Sequence, residues 1–160
     1  MLFRSGLGDV IGSFYGGFEI RTKPGAPGVG EIKKIDSNSS VIIACFSPIS
    51  TKKFIDENLA VINGLGGKMV SKLVQTIDYN EFQDMSVEFA KYVKVMTPKM
   101  NSVISELNSI GVKCGVALFG ETVFTLIPKE KESQVLEILK KYDNNILIQS
   151  EIDNAGARLQ

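Results

Sequence analysis

The 160-residue sequence predicts an α+β fold, and three observations lead to that prediction. Apolar and polar residues alternate along several short segments, as they do in strands with one covered face. Longer stretches place apolar residues at helical spacing. From Val41 onward the order of these segments is strand, helices, strand, strand, helix, strand. A shorter leading piece of different character precedes them.

Composition limits the classes of function. Eighteen basic and eighteen acidic side chains cancel, and no block of like charge is present. We therefore expect no nucleic-acid partner and no membrane partner. The apolar run Val41–Phe46 is too short to span a bilayer, and Met1–Arg4 lacks the apolar core of a signal peptide. These features predict a soluble, cytoplasmic protein.

The absence of histidine narrows the chemistry further. It excludes Ser-His and Cys-His nucleophilic pairs and every metal site that needs imidazole. No metal-ligating residue is predicted. The two cysteines, Cys45 in an apolar run and Cys114 beside Gly115, lie far apart in sequence. We expect both to be reduced and Cys45 to be a small core residue.

The leading piece is rich in glycine around one carboxylate. Gly6-Leu7-Gly8-Asp9-Val10 is followed by Tyr15-Gly16-Gly17. Glycine allows positive φ and close approach of the backbone to a ligand, so Asp9 is predicted to lie in a glycine-rich turn and to face a substrate. The alternative is that Asp9 caps the next helix.

Two short strands follow this segment. Alternation predicts strands over Phe18–Thr22 and Glu31–Ile35. The connection Lys23–Gly30 holds two prolines and three glycines, which is too punctuated for regular structure. It is either an ordinary connecting loop or a rigid lid or wall that contacts a ligand.

A fully apolar strand, Val41–Phe46, begins the longer body, and a helical region follows it. Gly64–Gly67 is predicted to break this region rather than to cradle a phosphate, because no strand precedes it and no Gly-Lys-Ser/Thr ends it. The next residues at helical spacing form a predicted core-facing stripe. They are Phe82, Met85, Phe89, Tyr92, Val93 and Met96.

Further signals complete the order of elements. Thr97-Pro98 is a capping hydroxyl followed by proline, which predicts a helix start, and Gly111 predicts its end. A hairpin of Val112–Leu118 with Thr122–Ile127, a helix from Glu130 to Tyr142 and a strand over Ile146–Ile152 follow. This order is the split βαβ plan of ferredoxin-like domains, with extra helices in the first crossover.

Several segments together resemble archaeal pantoate kinases of the GHMP kinase superfamily. In the leading piece they are Gly6–Val10, Gly16-Gly17, Glu19-Ile20-Arg21 and Lys23–Pro27. In the body they are Pro48–Lys52, Glu88-Phe89-Ala90, Thr97-Pro98, Leu118–Phe124 and Gly156-Ala157-Arg158. The resemblance covers essentially the whole chain, with the segments in the order that the family has.

The resemblance implies a transferase: a kinase that moves a phosphoryl group from ATP, with Mg²⁺, to the hydroxyl of pantoate in coenzyme A biosynthesis. It implies that Asp9 is the catalytic residue, accepting or orienting the hydroxyl proton.

Other positions receive roles from the same resemblance. Gly6 and Gly8 are expected at the substrate. Arg21 and Lys23 are expected to offer positive charge to a carboxylate or phosphate, the alternative being solvated surface charge. Gly115 and Gly120 match a glycine-rich motif near the phosphates, or belong to a purely structural hairpin.

The sequence departs from the family in one motif, and this departure determines the domain organisation that we expect. The nucleotide loop of GHMP kinases, Pro-x-x-x-Gly-x-Gly-x-Ser-Ser/Ala-Ala, does not occur in the sequence. We therefore expect residues 1–36 to be the tail of a GHMP N-terminal domain and residues 37–160 to be the C-terminal domain. This part would be inactive alone.

The expected partners are pantoate and either a missing N-terminal half or a second copy in a homodimer. Two alternative hypotheses about function stay open. One is a freestanding ferredoxin-like module that binds a small molecule without catalysis. The other is an interaction protein whose exposed apolar face drives self-association.

Overall fold

The computed structural model describes residues 8–48, 51–118 and 120–158, with the backbone alone at Asp9 and over residues 51–63. The described residues form two compact units. Residues 8–38 and 152–158 make up the first, here called the leading unit, and Ser39–Glu151 make up the second, here called the sheet unit. The chain thus returns to the leading unit after residue 151. The assignment of residues 1–36 and 37–160 to two kinase domains stays a prediction.

The leading unit consists of helix α1 (Gly8–Tyr15) and an antiparallel hairpin. Strand β1 (Phe18–Lys23) pairs with β2 (Glu31–Ile35), with Phe18 opposite Ile35. Phe18, Ile20 and Ile11 are buried. Both predicted strands are confirmed, and on β1 the buried Phe18 and Ile20 alternate with less buried residues as expected.

The predicted glycine-rich turn at Asp9 is wrong at the level of the backbone. Gly8 and Asp9 lie in the first turn of α1. A helical glycine costs about 1 kcal/mol relative to alanine, and burial of Ile11 on the inner face of α1 offsets this cost. The residues with positive φ come directly after the helix, at Gly16 (64°) and Gly17 (78°).

The sheet unit contains four antiparallel strands in the order β4-β5-β3-β6. They are β3 (Ser40–Pro48), β4 (Gly115–Ala117), β5 (Gly120–Ile127) and β6 (Ile146–Glu151). The helices are α2 (Thr51–Thr76), α3 (Tyr79–Tyr92), α4 (Pro98–Ser109) and α5 (Glu132–Leu139), the last preceded by a 3₁₀ turn at Lys129–Lys131. This topology confirms the predicted ferredoxin-like split βαβ plan.

The core of the sheet unit lies between the sheet and helices α4 and α5. On β3 the buried residues are Ile42, Ala44 and Phe46. Met100, Val103 and Leu107 from α4 and Val135 and Leu139 from α5 join them in one apolar cluster. The alternation of β3 and the helical spacing of α4 and α5 therefore converge on one face of the sheet.

One helix prediction is wrong. Helix α2 runs without interruption through Gly64–Gly67, because helical packing of neighbours such as buried Leu73 outweighs the low helix propensity of glycine. The predicted core-facing stripe is confirmed at Met85, Phe89 and Val93, which are buried, and is wrong at Tyr92, the last residue of α3, which is 54% exposed.

The start of α4 is confirmed. The Thr97 hydroxyl accepts a hydrogen bond from the Met100 amide at 3.1 Å, and Pro98 is the first helical residue. The predicted stop is confirmed as well, since Gly111 has a φ of 69° just past the helix.

Both cysteines are free thiols. Burial raises the pKa of Cys114 to about 12, so this thiol is an inert core group. Cys45 is only half-buried, contrary to the prediction, because it lies on the opposite face of β3 from Ala44 and Phe46. No helix in the described part of the chain is long and apolar enough to cross a membrane.

Candidate functional site

The junction between α1 and β1 requires glycine for steric reasons. A Cβ atom at Gly16 would collide with the backbone of Asp153 and Gly156, and Gly17 donates its amide to the Asp153 carbonyl at 2.8 Å. Gly156 has a φ of 73°, and a Cβ atom added there would likewise collide with the Phe14 carbonyl. Two stretches far apart in sequence therefore meet here backbone to backbone.

Polar contacts hold the returning segment Asp153–Arg158, here called the tail clasp, within the leading unit. The Asn154 side chain accepts from the Ser37 amide at 2.9 Å and donates to the Ser37 carbonyl at 3.0 Å. Lys34 Nζ donates to the Asn154 carbonyl at 2.5 Å, and the Ala157 amide donates to the Ser13 carbonyl at 2.6 Å. Each contact uses backbone on at least one side, so the chain path is tightly defined.

The tail clasp is also organised internally by one carboxylate. The Ala155 amide donates to Asp153 Oδ1 at 2.8 Å, and Arg158 Nη1 lies 3.0 Å from Asp153 Oδ2. The Ala155 amide, then the Arg158 guanidinium, lower the pKa of Asp153. Asp153 is therefore ionised in the folded protein at neutral pH.

Strand β1 presents two charged side chains on the face opposite Phe18 and Ile20. Glu19 Oε1 and Arg21 Nε are buried without a hydrogen-bond partner among the described residues. Arg21 Nη2 makes only a long hydrogen bond, 3.3 Å, to the Gly25 carbonyl. Burial raises the pKa of Glu19, and Lys34, its cross-strand neighbour, works against that shift. This face thus offers an acceptor and a donor with unused hydrogen-bonding capacity.

Lys23, the other predicted cation, is placed differently from Arg21. Its ammonium lies 3.2 Å from Glu31 Oε1, and the two side chains are 61% and 65% exposed. Such a pair is well solvated and contributes little to stability. The Lys23–Gly30 segment is the turn between β1 and β2, where the Val29 and Gly30 amides both donate to the Ala26 carbonyl at 2.9 Å.

The remaining predicted residues of the leading piece lie at or before the start of α1. Gly6 lies outside the described residues. Gly8 is exposed, and an added Cβ would meet nothing within 4 Å. Asp9 lies in the first helical turn, where the helix dipole favours an acidic residue. The roles assigned to these three residues stay predictions.

In the sheet unit, close packing leaves little room for a side chain at Gly115 or Gly120. A Cβ at Gly115 would collide with the Phe124 ring and come within 2.6 Å of Ser86 Oγ. Gly120 begins β5 opposite Pro48, where a Cβ would lie 2.8 Å from the Thr122 hydroxyl. Their proposed position near phosphates stays a prediction.

Glu121 is a buried carboxylate that the sequence analysis missed. Ser47 Oγ donates to Glu121 Oε2 at 2.7 Å, and Thr97 Oγ1 donates to Oε1 at 2.5 Å. Burial acts to raise the pKa of Glu121, but these two hydroxyls and the nearby charge of Lys99 outweigh it, so the pKa is lowered. Glu121 thus ties the start of β5 to the end of β3 and to the N-cap of α4.

No sequence signal could have identified Glu121, because its partners come from two other elements. Glu19 could have been found, since the alternation that buries Phe18 and Ile20 places Glu19 beside Arg21 on the other face. Neither residue belongs to a metal site in the described part of the chain, where no three potential ligands among Cys, Asp and Glu cluster.

A family comparison agrees with the topology of the sheet unit. Residues 69–145 match the sequence model described as GHMP kinases C terminal. These residues therefore have the fold of a GHMP kinase C-terminal domain. The matched residues run from the second half of α2 to the turn before β6, so the GHMP kinase match lies within the sheet unit.

Curated relatives extend the similarity beyond that domain. The pantoate kinase of Methanocaldococcus jannaschii is 31% identical over 138 residues, which cover 85% of this chain and 51% of that protein. The pantoate kinase of Thermococcus kodakarensis is 24% identical over 139 residues, covering 85% and 46%. The chain thus spans about half the length of these relatives.

Solved structures support the fold. A phosphotransferase related to the CoA biosynthesis pathway superposes with a TM-score of 0.78 at 21% identity, covering 92% of this chain and 49% of that chain. The mevalonate kinase of L. major superposes with a TM-score of 0.63 at 13% identity, covering 89% of this chain and 51% of that chain. At these identities the likeness concerns the GHMP kinase fold alone.

Proposed function

We propose that this chain forms the C-terminal part of an ATP-dependent pantoate kinase. One observation carries the proposal: similarity to pantoate kinases extends over 138 residues, well beyond the 69–145 match to the general GHMP domain. The similarity therefore includes part of the leading unit, where the candidate substrate residues lie. We place the reaction in the cytoplasm, in coenzyme A biosynthesis of the archaeal type.

Asp9 is the proposed catalytic residue. The pantoate hydroxyl oxygen attacks the γ-phosphorus of ATP, the bond from that phosphorus to the β-γ bridging oxygen breaks, and ADP leaves. The hydroxyl proton passes to the Asp9 carboxylate, which acts as general base. The products are 4-phosphopantoate and ADP.

Substrate binding is proposed for the polar face of β1 and the glycines before it. The guanidinium of Arg21 has a buried Nε with no partner among the described residues, and a pantoate carboxylate would supply one. Lys23 adds positive charge nearby on the same hairpin. Gly6 and Gly8 let the backbone approach the substrate, and we add Glu19 as an acceptor for a substrate hydroxyl.

The nucleotide requires residues outside these 160. The sequence has no GHMP nucleotide loop, and the described residues hold no cluster of metal ligands, so we assign neither an ATP loop nor a Mg²⁺ site to this chain. Gly115 and Gly120 are proposed to lie near the phosphates once ATP is bound. Turnover is thus proposed to need a nucleotide-binding half from the same or another polypeptide.

A chimera tests the proposal. The chain replaces the corresponding C-terminal part of the Methanocaldococcus jannaschii pantoate kinase, and ADP release is measured with pantoate, mevalonate or homoserine as acceptor. We expect kcat/KM for pantoate to exceed the other two by at least about 100-fold. Phosphorylation of no acceptor by a folded chimera would refute the proposal and favour a non-catalytic binding module.

Asp9→Asn in this chimera tests the catalytic role. We expect kcat to fall by about 10²- to 10⁴-fold, the usual contribution of a general base, with circular dichroism unchanged. Asp36→Asn is the matched control, because Asp36 is an exposed carboxylate of the same unit, paired with Lys34 at 3.6 Å. Equal activity of the two variants would remove Asp9 from the mechanism.

A further inference from the structure

Helices α2 and α3 leave a cavity of about 280 Å³ between them in the sheet unit. Its walls carry two thioethers and two aromatic rings, together with aliphatic side chains. The thioethers and rings are Met69, Met85, Phe82 and Phe89. Val70 also lines the cavity and is 37% exposed, so the cavity reaches solvent.

Among the described residues, one hydroxyl lines the cavity, and it has no donor left for an anionic ligand. Ser86 Oγ donates to the Gln83 carbonyl at 2.7 Å and accepts from the Val116 amide at 3.0 Å. None of the described side chains that line the cavity is ionisable. A carboxylate or phosphate entering it would lose its hydration without compensation, which excludes the substrates of the kinase reaction.

The size and the wall chemistry define the ligand that fits. An apolar cavity of about 150 Å³ holds one benzene ring, so this volume accommodates about two fused rings. Phenylalanine edges and faces and polarisable methionine sulfurs make favourable contacts with aromatic rings. From this geometry we infer that the cavity between α2 and α3 is a binding site for an uncharged aromatic molecule of about two rings. The site is additional to the phosphoryl transfer proposed above.

Naphthalene is the probe for this site. Its binding to the full chain is measured by saturation-transfer difference NMR and by the rise in Tm at increasing naphthalene concentration. We expect saturable binding to one site, and at least tenfold weaker binding of 2-naphthalenesulfonate, which has the same rings and a charge. Absence of saturable binding, or equal binding of the two compounds, would overturn the inference.

Two glycines of α2 provide a matched pair of variants. Gly66 lines the cavity, and its added Cβ would lie 3.7 Å from Phe89 Cε2, whereas Gly67 is exposed and its Cβ would meet nothing within 4 Å. Leucine at either position brings the same gain in helix propensity. We expect Gly66→Leu to weaken naphthalene binding at least tenfold and Gly67→Leu to change it less than twofold.

A second variant that fills the cavity keeps the test valid if Gly66→Leu does not fold. Val70→Phe enlarges a side chain at the open side of the cavity, where there is room for adjustment, and it should also weaken naphthalene binding at least fivefold. If the cavity-filling variants fold, as judged by circular dichroism, and bind naphthalene like the wild type, the ligand site lies elsewhere and the inference fails.

Discussion

Each of the two units of this chain is stabilised internally in a different way. In the described part of the sheet unit, sixteen buried residues form one apolar cluster that includes residues of β3 and β5. In the described leading unit the buried apolar residues are Ile11, Phe18 and Ile20, and much of the order comes from close glycine contacts and from the polar tail clasp. A small unit buries too little apolar surface to rely on it alone.

The difference in apolar packing between the two units affects the region where substrate binding is proposed. The proposed substrate-binding residues lie in the unit with fewer buried apolar residues, and the sheet unit is the better packed of the two. Regions with few buried apolar contacts open at lower free energy than the core does. Substitutions should therefore affect the two units through different mechanisms, apolar burial in one and backbone geometry in the other.

The largest effect is expected in the apolar core of the sheet unit. Leu107 on α4 is completely buried, and Leu107→Ala should lower the free energy of unfolding by about 2–5 kcal/mol. Urea titration followed by circular dichroism measures it. The control is Ile110→Ala, at a residue that is 37% exposed, with an expected loss below about 1 kcal/mol. Similar losses for both would contradict a core centred on α4.

Gly16→Ala is expected to have the next largest effect, this time in the leading unit. A left-handed φ costs a residue with a Cβ about 1–2 kcal/mol, and the new methyl group also collides with the backbone of Asp153 and Gly156. Amide hydrogen exchange of the leading unit reports the loss.

Gly12→Ala is the control for Gly16→Ala. Gly12 lies within α1 with nothing within 4 Å of an added Cβ, so alanine should raise stability by up to about 1 kcal/mol. Effects of the same sign at both glycines would show that helix propensity, not the contact with the tail clasp, determines the result.

Glu121→Gln tests the main buried polar contact of the sheet unit. The loss should be about 1–3 kcal/mol at pH 7, because an amide cannot replace a carboxylate that accepts from both the Ser47 and Thr97 hydroxyls.

The pH dependence of this variant follows from the lowered pKa of Glu121. The stabilisation is present above the ordinary value of 4.5 and is lost as the pH falls through the lower folded-state pKa. Urea titrations from pH 7 to pH 3 should therefore show a flatter profile for Glu121→Gln than for the exposed control Glu137→Gln. Parallel profiles would mean that folding does not lower the pKa of Glu121.

The smallest effect is expected at the surface of the tail clasp. The pKa of Asp153 is lowered by the Ala155 amide and then by Arg158. The stabilisation that ionised Asp153 provides is therefore present above pH 3.8 and is lost as the pH falls below that value.

Asp153→Asn should shift the NMR signals of residues 153–158 and leave the signals of the sheet unit unchanged. Glu31→Gln, in the exposed pair with Lys23, should leave those signals unmoved.

Much of the fold could be predicted from local patterns. Alternation identified β1 and β2, a fully apolar run identified β3, and Thr97-Pro98 marked the start of α4, because each signal lies within a few residues of the structure it specifies. The order of elements then implied the ferredoxin-like sheet. Helix α2 was misjudged at Gly64–Gly67, since glycine propensity is local and the packing that overrides it is not.

The residues of the candidate site also fall into those that the sequence predicted and those that it did not. Resemblance pointed to Asp9 and the glycines, and strand periodicity placed Arg21 on a defined face. By contrast, the partners of Glu121 come from residues 47 and 97, and the tail clasp joins Asn154 to Ser37. Pairings across such separations carry no periodic signal in a single sequence.

By itself, then, the sequence determined the strands, most helix limits, the fold class and the kinase resemblance, because these depend on residue type at short spacing. Only the tertiary structure decided that the chain returns to its leading unit, that Glu19 and Arg21 have buried atoms with no partner among the described residues, and that α2 and α3 leave an apolar cavity open to solvent. Those features depend on which distant side chains come into contact, and contact is a property of the packed chain.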